Sequence, residues 1–545
     1  MGVQNGSRVR AGSRAGLHSR ASVHSRVSAR LRNPDLIPIA IAALIGALLA
    51  AIDLGTRSLW LDEGSTFAIV SQHGAALWRA IAHDGGNMLL YYVAMHAVVG
   101  LFGDAAWVMR APSVLANGLT GALVAALALR LFPGNRRLAT AAGLLTVVSL
   151  PLVFWGQNVR GYAWLVTLSV GSFLALVAIL QTPAERVPSR GAVSAYVLTT
   201  LAALYIGYDV ALLIPAQLAL LLLYRERARL VIACLVVVAL LSVPLLVLAA
   251  ERGSGQLFWV TPLSWRIAGQ ATLALFSAAF LPNFHHTATT APAAIVTGLA
   301  VFAGLWFAAR TALRAANRRE HAWQLLFILA WALVPTVLTL IAYAAGEPIE
   351  LPRVTILELP ALGLLVAWLL MRPQLAPSLG IAAVGMILAL RLLQVIPSYG
   401  ASPEPWNAAT AYALHAAPPG QSTCVVFYAQ DGREVFDYYK QAGHLPVPDP
   451  APNLVPLLPS LPWDQIKPFV EQYRGLDTAQ ESAIAARCPS LMLIVSHPGQ
   501  INGTRQSLVN LHRYHRIVRG FTRAYGHHTL RSFGWASPIH VYLFR

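Results

Sequence analysis

The feature that most constrains this chain is a succession of apolar runs, each roughly 17 to 25 residues long, that starts near residue 36 and stops at 398. A run of that length crosses a bilayer as a helix, because only a helix satisfies its own backbone hydrogen bonds in hydrocarbon. Hydrophobic residues make up 56% of the chain and charged ones 12%. Soluble domains carry about 25% charge, so an ordinary cytosolic enzyme is excluded. The strongest runs cover 37–54, 112–131, 137–154, 162–181, 191–206, 208–224, 229–250, 293–310, 322–345, 354–371 and 378–397.

The arginines set the expected topology. Arg8, Arg10, Arg14, Arg20, Arg26, Arg30 and Arg32 precede the first run with no acidic residue among them, the pattern that keeps an N-terminus in the cytoplasm. Residues 1–35 therefore read as a basic, disordered cytoplasmic tail. A cleavable signal is the alternative, but the following run is longer than a signal core and lacks an evident cleavage site. The same reading puts four further loops in the cytoplasm, marked by Arg130, Arg136 and Arg137, by Glu185, Arg186 and Arg190, by Arg225, Arg227 and Arg229, and by Arg310, Arg314, Arg318 and Arg319. Two shorter segments, 88–102 and 267–282, then cannot cross without moving arginines to the wrong side. They are expected to lie along the outer face or to be re-entrant. About eleven crossings result, which places the tail from 399 outside. The net charge of +17 is spread over short loops without interleaved aromatics, so no nucleic-acid partner is expected.

Residues 399–545 read as an extracytoplasmic α/β domain. "CVVFYAQ", "LMLIVSH" and "IHVYLFR" are strand-like runs, separated by proline-rich loops at 445–463 and a helical stretch near 478–487. Cys234 lies within an apolar run. Cys424 and Cys488 both fall in the tail and can pair if it is extracytoplasmic. The "NGT" sequon at Asn502 is too common a match to carry weight, and no internal repeat is evident.

The membrane part, 36–398, gathers its chemistry in the first outer loop, 55–111. There "RSLWLDEGSTF" sets Asp62 and Glu63 behind Leu59, Trp60 and Leu61. A carboxylate in an apolar place is costly unless compensated, which points to a wet, protein-lined pocket near the membrane surface. The functional reading is a general base; the structural one is that "DEGS" caps a short loop helix. Three arginines stand at outer ends of spans: Arg160 in "WGQNVRGY", Arg353 in "ELPRV" and Arg110 in "VMRAPS". Each can snorkel, or each can grip a phosphate through the planar guanidinium fork.

"SLWLDEGST", "HDGGNMLLYYVAMHAVVGLFG", "WVMRAPSVLANGLTGALVAALALRLF", "SLPLVFWGQNVRGYAWLVTL" and "LPRVTILELPALGLL" occur in this order over 37–372. Together they resemble the GT-C superfamily of polytopic glycosyltransferases, in particular the branch of protein O-mannosyltransferases and the lipid A aminoarabinose transferase. The tail stretch "PEPWNAATAYALHAAPPGQSTCVVFYA" is similar to the extracytoplasmic domain of some bacterial members. The resemblance implies a sugar donor on a polyprenyl-phosphate carrier and an acceptor hydroxyl outside the cytoplasm. It maps the acidic catalytic residue onto Asp62 with Glu63 beside it, and the carrier phosphate onto Arg160, Arg353 and Arg110. It sets His83, Asp84 and Asn87 along the sugar site and matches 88–102 to a helix lying along the membrane. Tyr91, Tyr92 and Tyr162 line the sugar or carrier path on this reading, or anchor the interface as belt aromatics.

The expectation is thus a plasma- or inner-membrane GT-C glycosyltransferase, hexosyl or pentosyl, working by direct displacement at the anomeric carbon with no metal and no cofactor. Its partners are membrane lipid, the lipid-linked donor and an acceptor that is protein, lipid or glycan. Two alternatives stay open: another lipid-linked saccharide ligase or polymerase, and a lipid or sugar transporter, although the repeats and broken helices of transporters are not evident.

Overall fold

A computed structural model describes residues 33–252, 260, 264–265, 290–312, 318–346 and 354–545, the last with breaks at 373–374, 403, 419, 442, 460–472, 474, 502–503 and 535–536. The expectations for Arg353 and for 267–282 lie outside the described residues.

The helices of the membrane part are α1 (Leu36–Ala51), α2 (Leu61–Val70), α3 (Ala75–His83), α4 (Leu89–Phe102), α5 (Ala106–Leu131), α6 (Arg136–Val147), α7 (Leu150–Gly156), α8 (Tyr162–Leu180), α9 (Arg190–Leu204), α10 (Tyr208–Leu222), α11 (Ala228–Leu241), α12 (Val243–Arg252), α13 (Thr290–Ala312), α14 (Arg318–Ala344), α15 (Leu359–Leu370) and α16 (Pro377–Val395). Among the described residues four helices are long and apolar enough to cross a membrane alone, or six if the pairs α6–α7, bent by 66°, and α11–α12, bent by 51°, each count as one span. Other expected spans appear as apolar helices of 10–17 residues. The segment expected at 88–102 is a helix of its own, α4.

Lipid gives helices little hydrophobic reason to associate, so close backbone approach and interhelical hydrogen bonds do the work. Helices α1, α5 and α6 meet through glycines. A Cβ on Gly121 would stand 2.5 Å from the Ala42 carbonyl oxygen, and one on Gly143 would stand 2.6 Å from Ala42 Cβ. Asn117 donates to the Gly46 carbonyl (2.9 Å), and Thr120 and Thr167 share a hydrogen bond (2.8 Å) between α5 and α8.

Polar contacts sort the loops into two ends. At one end Arg136 pairs with Asp35 (2.8 Å), Asn135 donates to the Met371 carbonyl (3.3 Å), Gln324 to that of Leu131 (2.8 Å) and Arg227 to that of Arg186 (2.9 Å). These are the basic loops. At the other end 52–60, 84–88, 157–161 and 205–208 meet, for example where the Tyr208 hydroxyl donates to the Gly85 carbonyl and the Leu90 N–H to that of Tyr205 (3.0 Å).

The C-terminal domain adds α17 (Trp406–Ala416), β1 (Ser422–Tyr428), α18 (Gly432–Lys440), β2 (Asn453–Leu458), α19 (Thr478–Arg487), β3 (Ser490–Val495), α20 (Arg505–Tyr525), β4 (His528–Phe533) and β5 (Ile539–Phe544). The sheet runs β2-β1-β3-β5-β4, with β1 parallel to β2 and β3, and β5 antiparallel to β3 and β4. Strand side chains alternate between faces. Val425, Phe427, Met492, Ile494, Val541 and Leu543 belong to one core that runs on into the membrane part, while Val426, Leu491, Leu493, Val495 and Phe544 pack in a second core with Tyr514, Ile517 and Phe521 of α20. Cys424 and Cys488 are joined in a disulfide with Cα atoms 5.9 Å apart, and Cys234 is a buried free thiol.

Candidate active site

Helix α2 starts directly after the tryptophan of "SLWLDEGST", so both carboxylates fall in its first turn, where the helix dipole favours negative charge. The helix then separates them, since adjacent positions point about 100° apart. Glu63 turns inward and is 1% exposed. Arg110 of α5 grips it with Nε on Oε1 (2.8 Å) and Nη2 on Oε2 (2.7 Å), and the Val159 N–H donates to Oε1 (2.9 Å). The remaining guanidinium hydrogens of Arg110 go to the carbonyls of Leu54 (2.9 Å), Arg57 (3.0 Å) and Ser58 (3.1 Å). All five N–H groups of Arg110 are thereby used.

Arg110, expected at the carrier phosphate, has every guanidinium donor engaged by the loop, and Glu63, expected beside Asp62 in the chemistry, is closed in a buried ion pair with it. The pair ties the 52–60 loop and the start of α2 to α5, a role that the neighbouring positions in sequence did not disclose.

Asp62 points the other way. Its side chain is 26% exposed and its Oδ2 stands 3.6 Å from Nε of Arg160. Arg160 also donates from Nη1 to Thr66 Oγ1 and to the Tyr92 hydroxyl oxygen, each at 3.3 Å. Tyr92 in turn donates to Asp84 Oδ2 (2.8 Å), and Asp84 is paired with Arg252 at the end of α12 (3.0 Å). Asp62, Arg160, Tyr92, Asp84 and Arg252 thus form one connected polar chain in which two carboxylates alternate with two arginines. Burial pushes the Asp84 carboxyl up, and Arg252 and then Arg160 act against that shift.

Local sequence explains why these groups meet. Residues 157–160 of "WGQNVRG" pair one by one with the first loop: Gln157 accepts from Arg57 (3.1 Å), Asn158 from Trp60 Nε1 (2.5 Å), Val159 N–H binds Glu63, and Arg160 faces Asp62. In "HDGGNM", Gly85, Gly86 and Met88 have φ of +66°, +73° and +55°, a left-handed run that glycine makes cheap. Gly85 is also required by contact, because a Cβ there would lie 2.4 Å from Cδ of Arg252.

The other expected residues are close by. His83 closes α3 and Asn87 caps the turn by donating its N–H to the Asp84 carbonyl (3.2 Å); both are half-buried. Tyr91 is buried on α4, its Cβ close behind Gly161, and Tyr162 packs on Trp155 with ring centres 4.2 Å apart. Arg252 was not singled out from sequence, although it carries the same signal as Arg160, an arginine at the end of an apolar run.

The C-terminal domain closes over this loop. Glu404 accepts from the Leu61 N–H (3.0 Å) and from His497 (2.9 Å), the Tyr439 hydroxyl accepts from the Leu59 N–H (2.6 Å), and Tyr438 meets Phe67 edge to face at 5.0 Å. These contacts put the domain and the first outer loop on the same side of the helical bundle.

A helical bundle whose first loop carries Asp62 against Arg160, with a C-terminal α/β domain packed on that loop, is a fold this chain shares with solved membrane-protein structures. The particular solved structures it is similar to are ArnT from Cupriavidus metallidurans bound to undecaprenyl phosphate (TM-score 0.51, 13% identity, 92% of this chain and 97% of that one covered) and the same protein in the apo state (TM-score 0.53, 14% identity, again 92% and 97%). No family model and no curated protein matches the sequence.

Proposed function

We propose that the chain is a membrane glycosyltransferase that moves a sugar from a polyprenyl-phosphate carrier to an acceptor hydroxyl on the extracytoplasmic face. The observation that carries the reading is the partly open Asp62 carboxylate 3.6 Å from Arg160: a base for an incoming hydroxyl beside a cation for a departing phosphate. Undecaprenyl phosphate on a neighbour of the same fold supports the choice of carrier.

In the reaction the acceptor oxygen forms a bond to the anomeric carbon as the bond from that carbon to the phosphate oxygen breaks. Asp62 takes the acceptor proton and the polyprenyl phosphate leaves with the electron pair. Arg160, linked through Tyr92 and Asp84 to Arg252, offsets the charge that grows on the leaving oxygen, the task that the sequence resemblance also gives Arg353. Arginine suits this task because it stays charged and donates two parallel hydrogen bonds. The basic end of the bundle faces the cytoplasm, with about eleven crossings, so Asp62, Arg160 and the C-terminal domain lie outside.

Undecaprenyl phosphate binding by the purified protein in nanodiscs tests the carrier. The wild type is expected to bind saturably, and Arg160→Ala to weaken binding by about tenfold or more, the loss of a charge-assisted contact. Equal affinity in the two proteins would remove Arg160 from the phosphate site.

A further inference from the structure

Helix α18 of the C-terminal domain lies directly on α2. A Cβ on Gly64 would stand 2.3 Å from Cγ2 of Val435, so glycine is what admits the contact. Within this otherwise apolar and aromatic contact sits the carboxyl of Glu434, 6% exposed, accepting a hydrogen bond from the Ser65 hydroxyl at 2.5 Å. Ser65 is three residues after Asp62 on the same helix, so the two share a face.

The charged groups around Glu434 are mostly of its own sign. Asp437 on its helix is paired with Arg433 (3.0 Å). From α2 comes Asp62, set against Arg160; from the turn before α4 comes Asp84, set against Arg252. Among the described residues no cation pairs with Glu434 itself. Burial, with further contributions from Asp437, Asp62 and Asp84, pushes its carboxyl up to about 8 against the opposing Ser65 hydrogen bond. Domain docking does not require an acid here, since a glutamine carbonyl would accept from Ser65 as well. A buried carboxyl without a cation is costly, and the cost is concentrated where the domain meets the turn that carries Asp62.

We propose that Glu434 is the acceptor-side carboxyl of the active site, a neutral acid that hydrogen-bonds the incoming hydroxyl next to Asp62, so that the C-terminal domain contributes a substrate-contacting group. This rests on the transferase reading above. Acceptor choice is then a property of the soluble domain, while the carrier phosphate is held by the membrane part. As pH rises through the raised value the carboxyl ionises, loses its donor proton and sets a second negative charge beside Asp62, so acceptor binding weakens.

The test uses the full chain in nanodiscs, the polyprenyl-phosphate sugar that the wild type consumes, and glycerol as the alcohol probe. Glu434→Ala is expected to raise the KM for glycerol about tenfold while leaving undecaprenyl phosphate affinity unchanged. Glu434→Gln, which mimics the neutral acid, is expected to stay within about twofold of wild type near pH 7. The wild-type KM is expected to climb from about pH 7 to about pH 9, and the Gln variant to be flat over that range. An unchanged KM in the Ala variant, or a Gln variant with the wild-type pH profile, would overturn the inference. Loss of carrier binding together with acceptor binding in the Ala variant would assign Glu434 to packing and also overturn it. A wild type that binds carrier yet transfers no sugar from any donor would contradict the transferase reading itself, and this inference with it.

Discussion

Asp62→Asn is expected to lower kcat for sugar transfer by about 10² to 10⁴, the usual worth of a positioned general base, with donor affinity nearly unchanged. Asparagine is isosteric, so the place beside Arg160 stays filled and the carrier still meets a cation. The proton acceptor alone is removed. Because the Asp62 side chain is 26% exposed and asparagine keeps its shape, the substitution is expected to cost less stability than breaking the sealed Arg110–Glu63 pair. Steady-state kinetics with varied donor would show the split; a fall in kcat of less than about tenfold would assign the base elsewhere.

Arg110→Met should have a different and equally large effect. It strands Glu63, 1% exposed, without its cation, and frees three backbone carbonyls of the first loop at once. Breaking a buried pair by removing one partner costs about 3 to 5 kcal/mol, enough to abolish most of the stability of an ordinary domain. The expected result is a large fall in the thermal midpoint in nanodiscs, partly restored in Arg110→Met with Glu63→Leu, where neither charge remains. Arg160→Ala should instead lose carrier affinity with a smaller fall in midpoint, since its carboxylate partner is 26% exposed while Glu63 is sealed. A stable Arg110→Met that binds undecaprenyl phosphate poorly would return Arg110 to the phosphate site.

The contrast between the two carboxylates shows where sequence reading stops. Run lengths and arginine-bearing loops marked the helices and the basic end of the bundle, because periodicity and charge are local properties. The sheet was legible in "CVVFYAQ", "LMLIVSH" and "IHVYLFR" for the same reason. Which of Asp62 and Glu63 faces inward depends on the helix phase at Leu61, and that phase is set by contacts with Arg110, Val159 and Glu404, distant in the chain. Glu434 was further out of reach: its position beside Ser65 spans 369 residues and follows only once α18 is docked on Gly64. Arg252 carried a usable signal and was passed over, since its run also reads as a plain span end in "LAAERGS".

The most direct test of the account is donor consumption. Purified wild type and Asp62→Asn in nanodiscs are offered a panel of undecaprenyl-phosphate hexoses and pentoses, and both free or transferred sugar and released undecaprenyl phosphate are measured. The account predicts that the wild type consumes one donor, forming sugar and carrier in equal amounts, and that the variant binds the same donor without consuming it. Consumption at the same rate by both proteins, or a folded wild type that binds undecaprenyl phosphate and consumes no donor in the panel, would contradict it.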